Sequence, residues 1–265
     1  MRFMTIASGS SGNCTLVGSD TTTILVDAGV SKKKIQEGLR SADCDLSDIS
    51  GIFVTHEHID HVRALGVISR SLSIPIYATE DTCHMLAGMK EMGVFDEDLL
   101  NCIDTDRDIN IGDLTINAHT IWHDAADPVC YTIRAGGRKI SIATDLGDYD
   151  EYLINALQGA DVLLVEANHD VRMLQVGPYP YALKQRILSK RGHLSNERGG
   201  QLIRALLNDH IRHISLGHLS RENNYPDLAY ETVKLELSCN GYTNDVRDFD
   251  LTVATRDCPG KLITL

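Results

Sequence analysis

The chain has 265 residues, with 25 Lys and Arg against 37 Asp and Glu for a formal charge of −12, and 43% of its residues are apolar. This composition excludes disorder and collagen-like structure, and a chain of this length buries enough surface to fold without disulfides or a structural metal. Nowhere do eighteen apolar residues run together, and Met1-Arg2-Phe3-Met4-Thr5 passes straight into strand-like sequence with no charged and apolar leader, so a soluble, unexported, cytoplasmic protein without membrane contact is expected.

In chain order, strands are predicted over residues 1–7, 14–18 and 22–26, the first two joined by the tight turn Ser8-Gly9-Ser10-Ser11-Gly12-Asn13. A charged helix follows over 32–40. The run Gly51-Ile52-Phe53-Val54-Thr55 reads as a buried strand ending at His56. Apolar residues at 62, 65, 67, 68 and 72 predict one helix over 60–72 with Asp60 as its N-cap. A strand over 75–78 and a helix over 80–92 come next, then strands over 113–120, 129–135 and 139–144, with Gly136-Gly137 as the hairpin between the last two. Helices over 149–158, 181–189, 196–208 and 227–238 then alternate with strands over 161–167, 213–216 and 249–255. No linker, low-complexity stretch or repeat divides the chain, so a single domain over 1–265 is expected. Two β-rich halves with helices outside predict an α/β fold of two facing sheets, a four-layer α/β/β/α sandwich.

The seven cysteines are odd in number and form no C-x-x-C pair, which predicts reduced thiols rather than disulfides or a thiolate zinc site. The chemistry lies instead in the eleven histidines. His56-Glu57-His58-Ile59-Asp60-His61 crowds three imidazoles and a carboxylate into one strand-to-helix turn, a pattern that chance would produce in on the order of one in a thousand chains of this size. Two histidines at i and i+2 on a strand end point the same way and reach one ion, while Asp60 and His61 face a neighbouring position, which predicts two adjacent metal sites. Each ion needs further nitrogen or oxygen ligands. The candidates are His123, Asp145 and His218, each at the end of a predicted strand, with His119 able to replace His123 if that strand end is misplaced.

Between Arg172 and Arg221 nine basic residues stand against Glu197 and Asp209, a local charge of +7 in an otherwise acidic chain. A pair of solvated helices or a phosphate-attracting face fits this segment. Within it, His193 precedes Ser195 and Asn196, either of which is a good N-cap, so an imidazole and a helix N-terminus point together to where an anion would sit. Arg198 is a candidate substrate contact in the same segment. Ser10 and Ser11 belong to a turn that either offers backbone N–H groups to a phosphate or is simply a hairpin, and Asn168 and His169 end a strand as either substrate contacts or turn residues.

Taken together, H-x-H-x-D-H followed by one His, one Asp and one His at strand ends resembles the metallo-β-lactamase fold superfamily over nearly the whole chain. The resemblance implies His56, His58 and His123 on one metal, Asp60, His61 and His218 on the other, Asp145 bridging, and Asp27 supporting the metal ligands from behind. His rather than Glu at position 58 is unlike the di-iron branch, the absence of a Cys ligand is unlike the class B1 lactamases, and the 73 residues from Asp145 to His218 leave no room for the inserted domain of the β-CASP nucleases. The motifs Thr55-His56-Glu57-His58, Trp122-His123-Asp124-Ala125, Thr144-Asp145-Leu146-Gly147, Glu166-Ala167-Asn168-His169, Gly192-His193-Leu194-Ser195-Asn196 and Gly217-His218-Leu219-Ser220, with the Gly/Ser turn, resemble the YycJ/WalJ-type proteins. That implies a hydrolase with two divalent ions, Zn or Mn, and a nucleic acid partner, most plainly a 5′-exonuclease acting on DNA. In the mechanism so implied, a hydroxide shared by the metals attacks phosphorus, Asp60 orients it and His193 protonates the leaving oxygen. Two alternatives carry different expectations: another hydrolase on the same frame, for a cyclic phosphodiester, an RNA end or a thioester, and a metal-binding regulatory protein without turnover.

Overall fold

Short β-branched segments open the chain in the computed structural model, which describes residues 1–93, 96–238 and 249–265. Strand β1 (Arg2–Ala7) runs antiparallel to β2 (Cys14–Gly18), with Phe3 opposite Val17, and β2 antiparallel to β3 (Thr23–Val26), with Leu16 opposite Leu25. Helix α1 (Lys32–Arg40) starts where the Ser31 hydroxyl accepts from the Lys34 N–H, and buries Ile35 and Leu39. Strand β4 (Ile49–Phe53) then pairs parallel to β3. Helices α2 (Ile59–Val62) and α3 (Leu65–Ser71), strand β5 (Ile76–Thr79), helix α4 (Glu80–Gly88) and strand β6 (Leu100–Ile103) follow. The C-terminal strand Ile263–Thr264 pairs with β1, giving a sheet that runs from it through β1, β2, β3, β4 and β5 to β6. Ile6, Leu16, Leu25, Ile35, Leu39, Ile52, Leu65 and Ile68 belong to its core. Strands β7 (Asp108–Ile111), β8 (Leu114–Thr120) and β9 (Val129–Ala135) form an antiparallel meander.

Residues 1–120, 125–138 and 255–265 make up this first compact unit, and residues 121–124 and 139–254 make up a second. The second is built on β10 (Arg138–Ala143), followed by α5 (Glu151–Leu157), β11 (Val162–Glu166), α6 (Val171–Val176), α7 (Tyr181–Ile187), α8 (Asn196–Leu206), β12 (His213–Gly217), α9 (Pro226–Ser238) and β13 (Asp250–Val253). Its strands pair in parallel in the order β10, β11, β12, β13, and β11 and β12 are buried along their whole length. This is the reason their sequences read as continuous apolar runs. Parallel pairing sends all their C-terminal ends to one edge, where α/β sheets place ligands.

Three expectations require correction. The helix predicted over 60–72 is two helices, and the residue capping the first is His58, with Asp60 inside its opening turn. The Asp60 carbonyl accepts from the Asn13 N–H (2.8 Å), the His61 carbonyl from the Ala28 N–H (2.7 Å), and the Ala64 N–H turns to the Ala28 carbonyl (2.8 Å), so the i→i+4 ladder stops. The helix predicted over 80–92 ends at Gly88 because Met89 is extended, and a short 3₁₀ turn takes up Lys90–Met92. Strands β6 and β7 and helix α6 had no counterpart in the predicted elements. Both strands are only four residues long and half exposed, too short a stretch for their periodicity to stand out. Cys239 lies outside the described residues. Among the described residues no helix is long and apolar enough to cross a membrane.

Candidate metal centre

In the first unit the segment that leaves β4 and enters α2 carries Thr55 through His61. His56 and His61 are fully buried, and His58 and Asp60 are partly exposed. Asp27, just beyond β3, fixes this loop from below. Its Oδ1 accepts from the Thr55 N–H (2.9 Å) and its Oδ2 accepts from His61 Nδ1–H (2.7 Å). That bond decides the tautomer: the lone pair of His61 lies on Nε2, which faces the Asn13 amide nitrogen at 3.0 Å and Asp60 Oδ2 at 3.6 Å. The Thr55 hydroxyl lies 3.0 Å from His56 Nδ1, and His56 Nε2 meets His58 Nδ1 at 3.1 Å. Ring nitrogens brought nose to nose in this way form a ready pair of ligands. Glu57 takes no part, since its Oε1 accepts from the Ala126 N–H at 2.9 Å.

Four side chains of the second unit, Asp145, Glu166, His193 and His218, bring their ligating atoms within 4.8 Å of one another. Asp145 follows β10, Glu166 ends β11 and His218 follows β12. Glu166 organises the group. Its Oε1 accepts from His193 Nδ1–H (2.8 Å) and His218 Nδ1–H (3.0 Å), and its Oε2 from the Leu146 N–H (2.8 Å) and the Leu194 N–H (3.2 Å). Burial works to raise the Glu166 carboxyl, but the two imidazoles and their hydrogen bonds outweigh it and hold the group well below the usual carboxylate range. Both histidines therefore turn Nε2 away from Glu166. His123 is oriented likewise: Nδ1 donates to the Gly192 carbonyl (3.2 Å), and Nε2 stands 3.9 Å from Asp145 Oδ1. Burial lowers the pKa of His123, with Asp145 opposing, which favours the neutral ligand form.

Three of these residues share an uncommon backbone. Asp27 (φ 62°), Asp145 (φ 61°) and His218 (φ 53°) are all left-handed, each just past a strand end. Such a conformation costs a non-glycine residue on the order of 1–3 kcal/mol and clusters at functional positions.

Of the predicted residues, Asp27, His56, His58, Asp60 and His61 come together in the first unit, and His123, Asp145, His193 and His218 in the second. His119 is satisfied elsewhere, by Asp106 at 2.9 Å and Thr132 at 3.0 Å, so it does not replace His123. Ser10 and Ser11 are exposed on their turn, which the Asn13 side chain holds through Gly9. Asn168 is buried, and its amide donates to the His218 carbonyl (2.9 Å), so it braces that loop. His169 and Arg198 line a cavity beside His193. The segment from Arg172 to Arg221 is less positive than its count suggests, because Arg186 pairs with Asp124, Arg198 with Asp148 and Arg204 with Glu236. Sequence reasoning missed Glu166 and Asn13 as parts of the site. The signal for Glu166 was a carboxylate closing the apolar run Val162-Leu163-Leu164-Val165, where a buried charge requires partners.

Imidazole nitrogens with carboxylate oxygens are a borderline-to-hard donor set that suits divalent zinc or manganese, and the fixed tautomers present unprotonated nitrogens, so these residues fit a metal.

A sequence profile described as the β-lactamase superfamily domain matches residues 22–215. The exodeoxyribonuclease YycJ of Bacillus anthracis is 36% identical over 250 residues, covering 91% of each chain. The exodeoxyribonuclease WalJ of Streptococcus pneumoniae is 36% identical over 237 residues, covering 89% of this chain and 88% of its own. Among solved structures, Zn²⁺-bound PqqB from Methylobacterium extorquens superposes with a TM-score of 0.71 at 17% identity over the whole of both chains, and shares the fold.

Proposed function

Because this chain belongs to the metallo-β-lactamase fold superfamily, with an α/β sandwich architecture, and within it to the YycJ/WalJ branch, we propose that it is a metal-dependent exodeoxyribonuclease that works from 5′ ends in the cytoplasm. The observation that carries the reading is the Glu166 hub, which fixes His193 and His218 beside Asp145 in the manner that metal-assisted hydrolysis requires. The chain acts as one catalytic domain. His56, His58 and His123 would hold one divalent ion and Asp60, His61 and His218 a second, with Asp145 as a further ligand, and zinc or manganese suits the donors. When bound, two such ions acidify a water and neutralise charge on the phosphate oxygens.

The remaining roles belong to side chains. Asp60 orients the attacking water through its carboxylate. His193 gives Nδ1–H to Glu166 and turns Nε2 outward, so in its protonated form it donates Nε2–H to the departing oxygen, and the Glu166 carboxylate stabilises the imidazolium. Such proton donation contributes about a hundredfold to ten-thousandfold in rate. Ser10, Ser11, His169 and Arg198 face the nucleic acid substrate.

Digestion of end-labelled single- and double-stranded DNA and RNA, with Mn or Zn supplied, tests the proposal. Stepwise release of nucleotides from the 5′ end of DNA is expected, and no cleavage of either nucleic acid under any metal would refute it. His193→Ala should lower kcat by about a hundredfold or more while metal content by elemental analysis stays unchanged.

A further inference from the structure

Beside His193 the second unit holds a cavity of about 350 Å³, lined by Asp148, His169, Lys190, Ser195 and Arg198 among others. Its volume is in the lower part of the range for small-ligand sites, with room for a phosphate and its sugar. His169 is only 1% exposed, and neither of its ring nitrogens has a hydrogen-bond partner among the described residues. Buried polar atoms are otherwise almost always satisfied, so a pair of orphans on a cavity wall points to a ligand that satisfies them. Burial lowers the pKa of this imidazole to about 4, so at neutral pH it offers one N–H donor and one lone pair without a charge of its own.

The surrounding groups are suited to an anion. The His169 carbonyl accepts from the Asn196 N–H (2.9 Å), which ties the imidazole to the first turn of the eleven-residue helix α8. The Ser195 hydroxyl caps that helix by accepting from the Arg198 N–H at 3.3 Å, and the positive end of the helix opens on the cavity. Arg198 is held in place by Asp148 at 2.7 Å and by the Tyr149 ring, 4.4 Å from its guanidinium carbon to the ring centroid. Lys190 lies 5.7 Å from the centroid of Trp122. Against two cations and a helix N-terminus stands one carboxylate, Asp148, already engaged by Arg198.

We propose that this cavity is a phosphate-monoester subsite that takes the terminal 5′-phosphate of the strand, with His169 as hydrogen-bond donor and Arg198 and Lys190 as counter-charges. A terminal monoester has three unesterified oxygens and continues in one direction only, which matches donors on several walls of a small cavity, whereas an internal diester must leave by two routes. A seated terminal phosphate holds the first scissile bond next to His193, which accounts for cutting from an end rather than within the strand. This inference rests on the nuclease reading above.

The test uses the full-length, manganese-loaded protein in two arms. The first compares KM for a single-stranded DNA bearing a 5′-phosphate with the same DNA bearing a 5′-hydroxyl. The phosphate should lower KM about tenfold or more, as expected for charge-assisted hydrogen bonds, and Arg198→Ala or Lys190→Ala should shrink that ratio toward one. His169→Ala should do the same and His169→Gln, which keeps an N–H donor, should restore part of it. The two exposed cations guard against failure of the buried variant to fold. The second arm measures calorimetric binding of thymidine 5′-monophosphate and of inorganic phosphate. Equal KM for both DNA ends would overturn the subsite while leaving the nuclease intact. Inorganic phosphate binding as tightly as the nucleotide, with no effect of the DNA end, would reassign the cavity to free phosphate and overturn the strand-end role. Nucleotide binding that is lost in Arg198→Ala, in a protein that degrades no DNA, would sink the nuclease reading and keep the phosphate site.

Discussion

A single carboxylate, Glu166, sets the tautomers of two histidines at once, because His193 and His218 both donate to its Oε1 while two backbone N–H groups donate to its Oε2. An amide cannot replace it. In a Glu166→Gln variant the new NH₂ would face either the two backbone N–H groups, losing that pair of hydrogen bonds, or the two imidazoles, which could accept from it only by moving their protons to Nε2. We predict a fall of about ten- to a hundredfold in metal affinity or activity, read by zinc titration and kcat in a variant whose circular dichroism is unchanged. Unaltered affinity and turnover would show that Glu166 is not a positioning residue. His169 leads to a second prediction, for pH. Its folded pKa of about 4 lies below the ordinary histidine value of 6.5, so the neutral form belongs to the folded state. Between pH 6.5 and 4 the unfolded chain binds a proton that the folded chain refuses, and stability therefore falls as pH drops through that window, by at most about 3 kcal/mol. Urea midpoints at about pH 7 and about pH 4.5, on either side of the ordinary histidine value, should show the loss in the native protein and less of it in His169→Gln.

At the scale of elements, the histidine-rich segment of the first unit from His56 to His61 is shaped by backbone contacts more than by helix propensity. The periodicity of residues 62–72 does describe a buried helical face, and α3 buries Leu65 and Ile68 as expected. The helix nonetheless breaks at Arg63-Ala64, since Asn13 and Ala28 claim the carbonyls that would have continued it. Gly29 makes that approach possible: a Cβ there would stand 1.6 Å from the Asp60 carbonyl oxygen. Gly29→Ala should therefore cost about 3 kcal/mol or more and displace Asp60 and His61, seen as a lowered Tm together with loss of bound metal. Gly88→Ala is the control, because nothing lies within 4 Å of its added Cβ and stability should change by less than about 1 kcal/mol. Equal behaviour of the two variants would contradict the close-approach argument. In the second unit the strand ends of β10, β11 and β12 each deliver one charged or imidazole side chain. The left-handed Asp145 and His218 then hold that side chain at a backbone angle that strand sequence alone does not suggest.

For the molecule as a whole, the charge balance of −12 works against capture of a polyanion, and under the proposed nuclease function the segment from Arg172 to Arg221 would have to overcome it locally. Three of its arginines are already paired with Asp124, Asp148 and Glu236, so only a few phosphates would be neutralised. With about three such contacts to single-stranded DNA, the logarithm of affinity should fall with the logarithm of salt at a slope of about −2, and Lys190→Ala should reduce that slope by about 0.7. Fluorescence anisotropy over roughly 50 to 300 mM salt measures it, and a flat response would contradict binding through this segment. The H-x-H-x-D-H turn, the strand-end positions of His123, Asp145 and His218 and the alternation of strands with amphipathic helices could all be read from the sequence, because periodicity records which face of an element is buried and ligand spacing is local. Tertiary structure alone decided the Glu166 hub, the Asn13 contact with His61, the helix break at Arg63-Ala64 and the orphaned imidazole of His169. Each depends on a hydrogen bond made or left unmade between groups distant along the chain, and no local pattern of residues encodes which donor will meet which acceptor.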